Sequence, residues 1–218
     1  MKTAVKICCM ASVEEARTAI RFGASAIGLV SRMPSGPGPI EDELIAEIVA
    51  ALPSTIDTFL LTCETSASAI VAQQHRSGVS TLQLVDAVDP GAHSDLRARL
   101  PGVRIVQVIH VTGPVSVGEA RAAVTEVDAL LLDSGNPGLP VKELGGTGRR
   151  HDWRISARIR AESPVPVYLA GGLNASNVGE AIATVEPYGV DVCSGVRTDG
   201  RLDVEKLAAF MEAVARSS

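Results

Sequence analysis

Leu169-Ala170-Gly171-Gly172-Leu173-Asn174, followed further along by Cys193-Ser194-Gly195-Val196, is the pair of stretches whose reading decides the fold. Each run follows a short apolar β-type segment, Val165 to Leu169 and Val190 to Val192, and each precedes a helical pattern. Adjacent strand ends of this kind offer free backbone N–H groups. Glycine at Gly171, Gly172 and Gly195 lets the backbone approach a ligand, and a helix starting near Asn174 adds the positive end of its dipole. The pair reads as a phosphate cradle. One such turn alone reads more simply as a tight strand-to-helix connection, but two in succession are what a barrel of eight βα units carries after its seventh and eighth strands.

The rest of the chain supplies those units. Short β-branched runs alternate with amphipathic helical runs from residue 3 to the C-terminus, with no linker or low-complexity tract between them. Strands are expected over Ala4–Cys8, Ala26–Val30, Thr58–Leu61, Thr81–Val85, Arg104–Ile109, Ala129–Leu132 (ending at Asp133), Val165–Leu169 and Val190–Val192. Helices are expected over Val13–Phe22, Glu41–Ala51, Ala67–His75, around Ala92–Leu100, and over Val117–Val124, Ala175–Val185 and Val204–Ala215, with a sixth opening at Trp153 under an Asp152 cap. Ser31–Pro39, with three prolines and two glycines, is a loop on the active face, and Ser134–His151 is a second, longer one. An open doubly wound sheet would want its glycine-rich turn after the first strand, where this chain has Cys8-Cys9-Met10. The pattern therefore predicts an α/β fold, a (β/α)8 TIM barrel in a single domain over residues 1–218.

Composition narrows the function. The 218 residues carry a formal net charge of -5 with their basic residues scattered, so no stripe for nucleic acid is present. The start MKTAVKICCM is strand-like and lacks signal-peptide features, and no apolar run reaches membrane-spanning length. A cytoplasmic protein with neither nucleic-acid nor membrane partners is expected. Cys8, Cys9, Cys63 and Cys193 lack metal-ligand spacing, and vicinal Cys8-Cys9 is poor disulfide geometry, so reduced thiols and no metal are expected. With one Trp, two Tyr and three Phe, the core must be built from Val, Ile, Leu and Ala.

Catalytic side chains of a barrel project from the C-terminal ends of its strands. Cys8 and Asp133 stand at two such ends, and the apolar run before Asp133 raises its carboxyl pKa by desolvation. A thiolate and a protonated carboxyl form a general base and a general acid. Equally, Cys8 reads as a small buried core residue and Asp133 as a turn residue bonding the backbone of Ser134 to Asn136.

Lys6-Ile7-Cys8, Gln83-Leu84, Leu131-Leu132-Asp133-Ser134, Gly145-Gly146-Thr147-Gly148 with Asp152-Trp153, Leu169 to Asn174, Asn177-Val178, and Pro187 to Asp191 with Ser194-Gly195-Val196 resemble the phosphoribosylanthranilate isomerase family. They fall in that family's order and spacing over essentially the whole chain. The resemblance implies a cofactor-free (β/α)8 barrel of tryptophan biosynthesis. Such an enzyme converts N-(5-phosphoribosyl)anthranilate to a 1-deoxyribulose 5-phosphate by an Amadori rearrangement, as a monomer or homodimer. It further implies that Asp133 protonates the furanose ring oxygen and that Cys8 removes the proton from sugar C2. Gly171, Gly172, Ser194 and Gly195 would hold the 5-phosphate with Gly146, while Thr147 in the closing loop and Gln83 would meet the substrate.

The chain departs from the family in four places. Cys9 replaces the usual glycine after the base, and strand alternation allows only one of the two thiols to face inward. Ser35-Gly36-Pro37-Gly38-Pro39 lacks the arginine that pairs with the anthranilate carboxylate, leaving Arg32 upstream as the candidate. The family's Gln-Leu-His-Gly reads Gln83-Leu84-Val85-Asp86. Arg197 stands where a glutamate commonly follows the Ser-Gly-Val turn. His110 ends the fifth strand and either lines the pocket or satisfies a core hydrogen bond; His75 and His93 are expected in solvent, and His151 in the loop. Two other readings fit the same residues: an isomerase of a related phosphoribosyl amine or sugar phosphate, and a catalytically weak paralogue that binds a phosphorylated metabolite.

Overall fold

In a computed structural model, which describes residues 3–217, eight parallel strands close into a barrel in chain order. They are β1 (Ala4–Ile7), β2 (Ala26–Val30), β3 (Asp57–Thr62), β4 (Thr81–Leu84), β5 (Arg104–His110), β6 (Ala129–Asp133), β7 (Val167–Leu169) and β8 (Gly189–Val192). Around them run α1 (Val13–Arg21), α2 (Asp42–Ala50), α3 (Ala67–Ser77), α4 (Ala92–Arg99), α5 (Ser116–Ala123), α6 (Trp153–Glu162), α7 (Val178–Val185) and α8 (Val204–Ser217). The barrel closes through β1 and β8, whose register sets Lys6 opposite Asp191.

Alternation along each strand divides the apolar residues into two layers. Ile7, Ile27, Leu29, Leu60, Leu82, Leu130 and Val190 point outward and are buried against Ile45, Ile48, Ile70, Leu96, Ile159, Leu207 and Phe210 of the helices. Each such side chain contributes roughly 1.5–3 kcal/mol by leaving water. Phe59, Val106, Leu131 and Tyr168 form a separate buried cluster of inward-facing side chains, with the Phe59 and Tyr168 rings edge to face at 5.9 Å.

Helices α1 and α6 begin where the sequence supplies a side-chain cap. Ser12 accepts a hydrogen bond from the Glu15 N–H, while the Glu15 carboxylate accepts one from the Ala11 amide, a local form of the capping box. Asp152 caps α6 as its sequence predicts, accepting from the Arg154 N–H.

Most boundaries fall within two residues of the sequence pattern, and the exceptions have local causes. Helix α7 starts at Val178, not Ala175, because Asn174 and Asn177 hold the preceding turn. The Asn177 Oδ1 accepts from the Asn174 amide, its Nδ2 donates to the Gly172 carbonyl, and the Asn174 Oδ1 accepts from the Ser176 amide. Those side chains compete successfully with the helical backbone pattern. Strand β7 starts at Val167 because Ser163 pairs with both the amide and the carbonyl of Val165. After β8 the chain forms a single 3-10 turn (Ser194–Val196) and a small hairpin, β9 (Arg197–Thr198) with β10 (Arg201–Leu202), that the helical pattern concealed. Its turn is Asp199-Gly200, both at positive φ, a hairpin signal plainly present in the sequence. Among the described residues no helix is long and apolar enough to cross a membrane.

Candidate active site

Beneath the mouth of the barrel lies a buried charge that the apolar layers do not explain. Lys6 is fully buried, its Nζ 2.9 Å from Asp191 Oδ2 and 5.3 Å from the centre of the Phe59 ring. Burial works against its charge, but the Asp191 carboxylate overrides this and raises the Lys6 pKa, so the ammonium persists. Gly28 on β2 makes the space: a Cβ there would lie 2.7 Å from Cys8 Sγ and 2.9 Å from Lys6 Nζ. The thiol and the ammonium thus share one small volume.

Cys8 follows β1 directly and is 4% exposed. Donation from the Cys9 thiol, and behind it the Lys6 charge, hold the Cys8 thiol below the ordinary thiol range in spite of burial. Asp133 closes β6, and desolvation there pushes its carboxyl above the usual range, against the opposing hydrogen bond from the Ser134 amide at 2.7 Å. A thiol shifted down and a carboxyl shifted up line the same cavity. Opposite shifts of this kind are what an acid–base pair needs.

One wall of the cavity is glycine-rich backbone, with Gly171 and Gly172 after β7, Ser194 after β8, and Gly146 and Gly148 from the long loop. Gly171 and Gly172 sit at φ 86° and 64°. A Cβ at Gly172 would come within 2.8 Å of the Gly148 carbonyl, so the two loops pack only as backbone. The amides of Gly171, Gly172, Ser194 and Gly195 have no hydrogen-bond partner among the described residues, which suits an anion. The opposite wall is apolar, formed by Val30, Met33, Leu61, Val85 and Leu144.

The sequence-derived candidates divide accordingly. Cys8, Asp133, Gln83, Gly146, Thr147, Gly171, Gly172 and Ser194 line the cavity. Gly195 does not line it; lacking a side chain, it lies against the Leu173 carbonyl and draws the two loops together. Arg32 is exposed and outside the cavity, so it does not take the place of the missing loop arginine; no Lys, Arg or His side chain among the described residues lines the cavity. His110 is a core histidine: its Nε2 bonds the Val85 carbonyl at 2.9 Å. His93, expected in solvent, is half-buried and bonds Gln107. His151 is packed into the loop, its Nε2 2.7 Å from the Ser156 hydroxyl and its pKa pushed down to about 4 by burial. Arg197 pairs with Glu15 and donates to the Cys9 carbonyl, fixing the loop after β1.

Alternation does not decide between the vicinal thiols, because both line the cavity. Cys9 has left the strand conformation, with φ 63°, and period-two reasoning stops where the strand does. Sequence reasoning passed over Lys6 and Asp191. Their signal was there: each is a charge at an inward position of an apolar strand, Lys6 two residues before Cys8 and Asp191 between Val190 and Val192.

Fold and site together define a (β/α)8-barrel enzyme whose cavity opens at the C-terminal mouth of its barrel. The family described as N-(5'phosphoribosyl)anthranilate (PRA) isomerase matches residues 5–213. N-(5'-phosphoribosyl)anthranilate isomerase 2 of Methanosarcina mazei is 37% identical over 209 residues, covering 95% of this chain and 92% of the relative. The solved phosphoribosyl anthranilate isomerase of Thermococcus kodakaraensis superposes with a TM-score of 0.80 at 31% identity, covering 99% of this chain and 100% of that one. That of Thermus thermophilus gives 0.83 at 24% identity over 99% and 100% of the two chains, a likeness of fold. The chain belongs to the phosphoribosylanthranilate isomerase family.

Proposed function

We propose that this chain isomerises N-(5-phosphoribosyl)anthranilate to 1-(2-carboxyphenylamino)-1-deoxyribulose 5-phosphate in tryptophan biosynthesis, with Asp133 as general acid and Cys8 as general base. The observation that carries the assignment is that these two groups line one cavity with opposite pKa shifts. Asp133, whose neutral form desolvation favours, gives its proton to the furanose ring oxygen. The C1–O bond breaks as the nitrogen lone pair forms the Schiff base. Cys8, as thiolate, takes the C2 proton, and its electron pair moves through C1 to nitrogen to give the enolamine. Tautomerisation of the enolamine yields the aminoketone.

The other residues bind and hold. Amides of Gly171, Gly172, Ser194 and Gly195, with Gly146 beside them, take the phosphate, and the apolar wall takes the aryl ring. Gln83 Oε1 is buried without a hydrogen-bond partner among the described residues and accepts the arylamine N–H; Thr147, whose hydroxyl meets that of Ser134 at 2.8 Å, closes the loop over the sugar. Lys6, after Cys9, favours the ionised form of the base. The enzyme needs no metal or cofactor, and works in the cytoplasm as a monomer or homodimer. The test is turnover of substrate generated in situ, followed by loss of anthranilate-type fluorescence. Efficient turnover supports the proposal, and a folded protein without it refutes it.

A further inference from the structure

Cys9 and Cys193 are two of the three thiols that the proton transfers leave unused, Cys63 being the other. They come from opposite ends of the chain, one after β1 and one after β8, and their sulfurs lie 2.6 Å apart. Cys9 reaches this contact by adopting φ 63°, a left-handed conformation that side chains other than glycine take only at a cost. The surroundings are cut to fit: a Cβ on Gly38 would lie 2.6 Å from Cys9 Cβ and 3.0 Å from its sulfur. Cys193 is half-buried and lines the cavity, so small solutes reach it, whereas Cys9 is 5% exposed. The contact with Cys193, and then that with Cys8, hold the Cys9 thiol well above the ordinary range, so Cys9 is the poorer attacking thiol and enters an exchange second.

We propose that Cys9 and Cys193 form a reversible disulfide at the rim of the cavity, made by exchange with a low-molecular-weight disulfide, and that it switches off the neighbouring base Cys8. Cys193 attacks as thiolate, breaking the S–S bond of glutathione disulfide; one glutathione leaves and takes up the proton that Cys193 lost. Cys9 then attacks the Cys193 sulfur of the mixed disulfide. Its proton goes to the second departing glutathione. Two protein thiols are oxidised and one glutathione disulfide is reduced to two glutathiones. The link ties the residue after Cys8 to the residue before Ser194 and removes the Cys9 thiol, the neighbour that most favours the Cys8 thiolate. The crosslink stands on geometry alone; the switching rests on Cys8 being the base.

The test equilibrates the whole chain in glutathione buffers from fully reducing to fully oxidising, then acid-quenches, alkylates and maps the peptides. The expected result is a Cys9–Cys193 crosslinked peptide with Cys8 and Cys63 alkylated. Turnover should fall about tenfold or more in step with the crosslink and return with dithiothreitol. Turnover of Cys193→Ser, whatever its level, should be the same in every buffer, and Cys9→Gly, which relieves the positive φ, should form no crosslink. Cys9 and Cys193 both alkylated under the most oxidising buffer, or a crosslink that includes Cys8, overturns the site. A mapped Cys9–Cys193 link with unchanged turnover overturns the switch. Absence of turnover in the reduced protein would count against the proposed isomerase while the peptide map still decides the crosslink.

Discussion

Replacing Lys6 by methionine keeps most of the side-chain volume and removes the cation beneath Cys8, the proposed base. Two effects follow, with separate readouts. The first is on stability: Asp191, 7% exposed and paired to Lys6 at 2.9 Å, is left as an unpaired buried carboxylate. Breaking a buried pair from one side costs about 3–5 kcal/mol, a large part of the roughly 5–15 kcal/mol that holds a domain together. A urea melt should show it, and Lys6→Met with Asp191→Asn should recover most of the loss.

The second effect is on the base. Cys8 Sγ and Lys6 Nζ lie 2.7 and 2.9 Å from a common point, hence less than about 6 Å apart. At an effective dielectric near 20 this is an attraction of ~3 kcal/mol for the thiolate, or roughly 2 pH units before screening. The sign is fixed: Lys6 favours the thiolate, so its loss raises the Cys8 pKa. The rise of kcat/KM with pH must then begin at higher pH, by about 1 unit or more. Asp191 opposes the thiolate, so the double variant should shift less. Profiles of wild type and Lys6→Met that superimpose on their acidic limb, with both proteins folded, would refute the argument.

Other consequences are open to direct measurement. Asp133 has a raised folded-state pKa, so its contribution to stability is present below its unfolded value and lost as pH rises through the folded one. Asp133→Asn should therefore raise Tm at neutral pH while lowering kcat by about 10²–10⁴-fold; an unchanged or lower Tm contradicts the desolvation argument. Gly28→Ala places a methyl between Cys8 and Lys6, and should cost about 1–3 kcal/mol in a denaturant melt. Gly195→Ala should raise KM well above its effect on kcat, because the two cradle loops are forced apart at Leu173. Arg32→Ala should leave KM within about twofold, since its side chain is in solvent; a large KM increase would place Arg32 on the substrate.

How much was legible in the sequence varies with the physics. Strand and helix order was readable because short β-branched runs alternate with 3.6-period stripes; the position of the glycine-rich turns, after the last two strands and not the first, favoured closure over an open sheet, and strand-end positions then named Cys8, Asp133 and the glycines. Legibility ended where side chains override backbone pattern: Asn174 and Asn177 delay α7, and Cys9 leaves the strand so that two adjacent thiols share one cavity. Long-range pairing was also invisible, since Lys6 and Asp191 are far apart in sequence and meet only through barrel closure. Arg32 shows the limit from the other side, because proximity in sequence to a missing arginine does not aim a side chain.

The central claim is that Cys8 and Asp133 are the base and acid of one isomerisation, and its most direct test is turnover of N-(5-phosphoribosyl)anthranilate by Cys8→Ala and Asp133→Asn beside the wild type. Circular dichroism and a melt confirm that each variant is folded. The account predicts that wild type consumes the fluorescence and that each folded variant does so at least about a hundredfold more slowly. Full turnover by either variant would contradict it, because neither alanine nor asparagine can carry the proton.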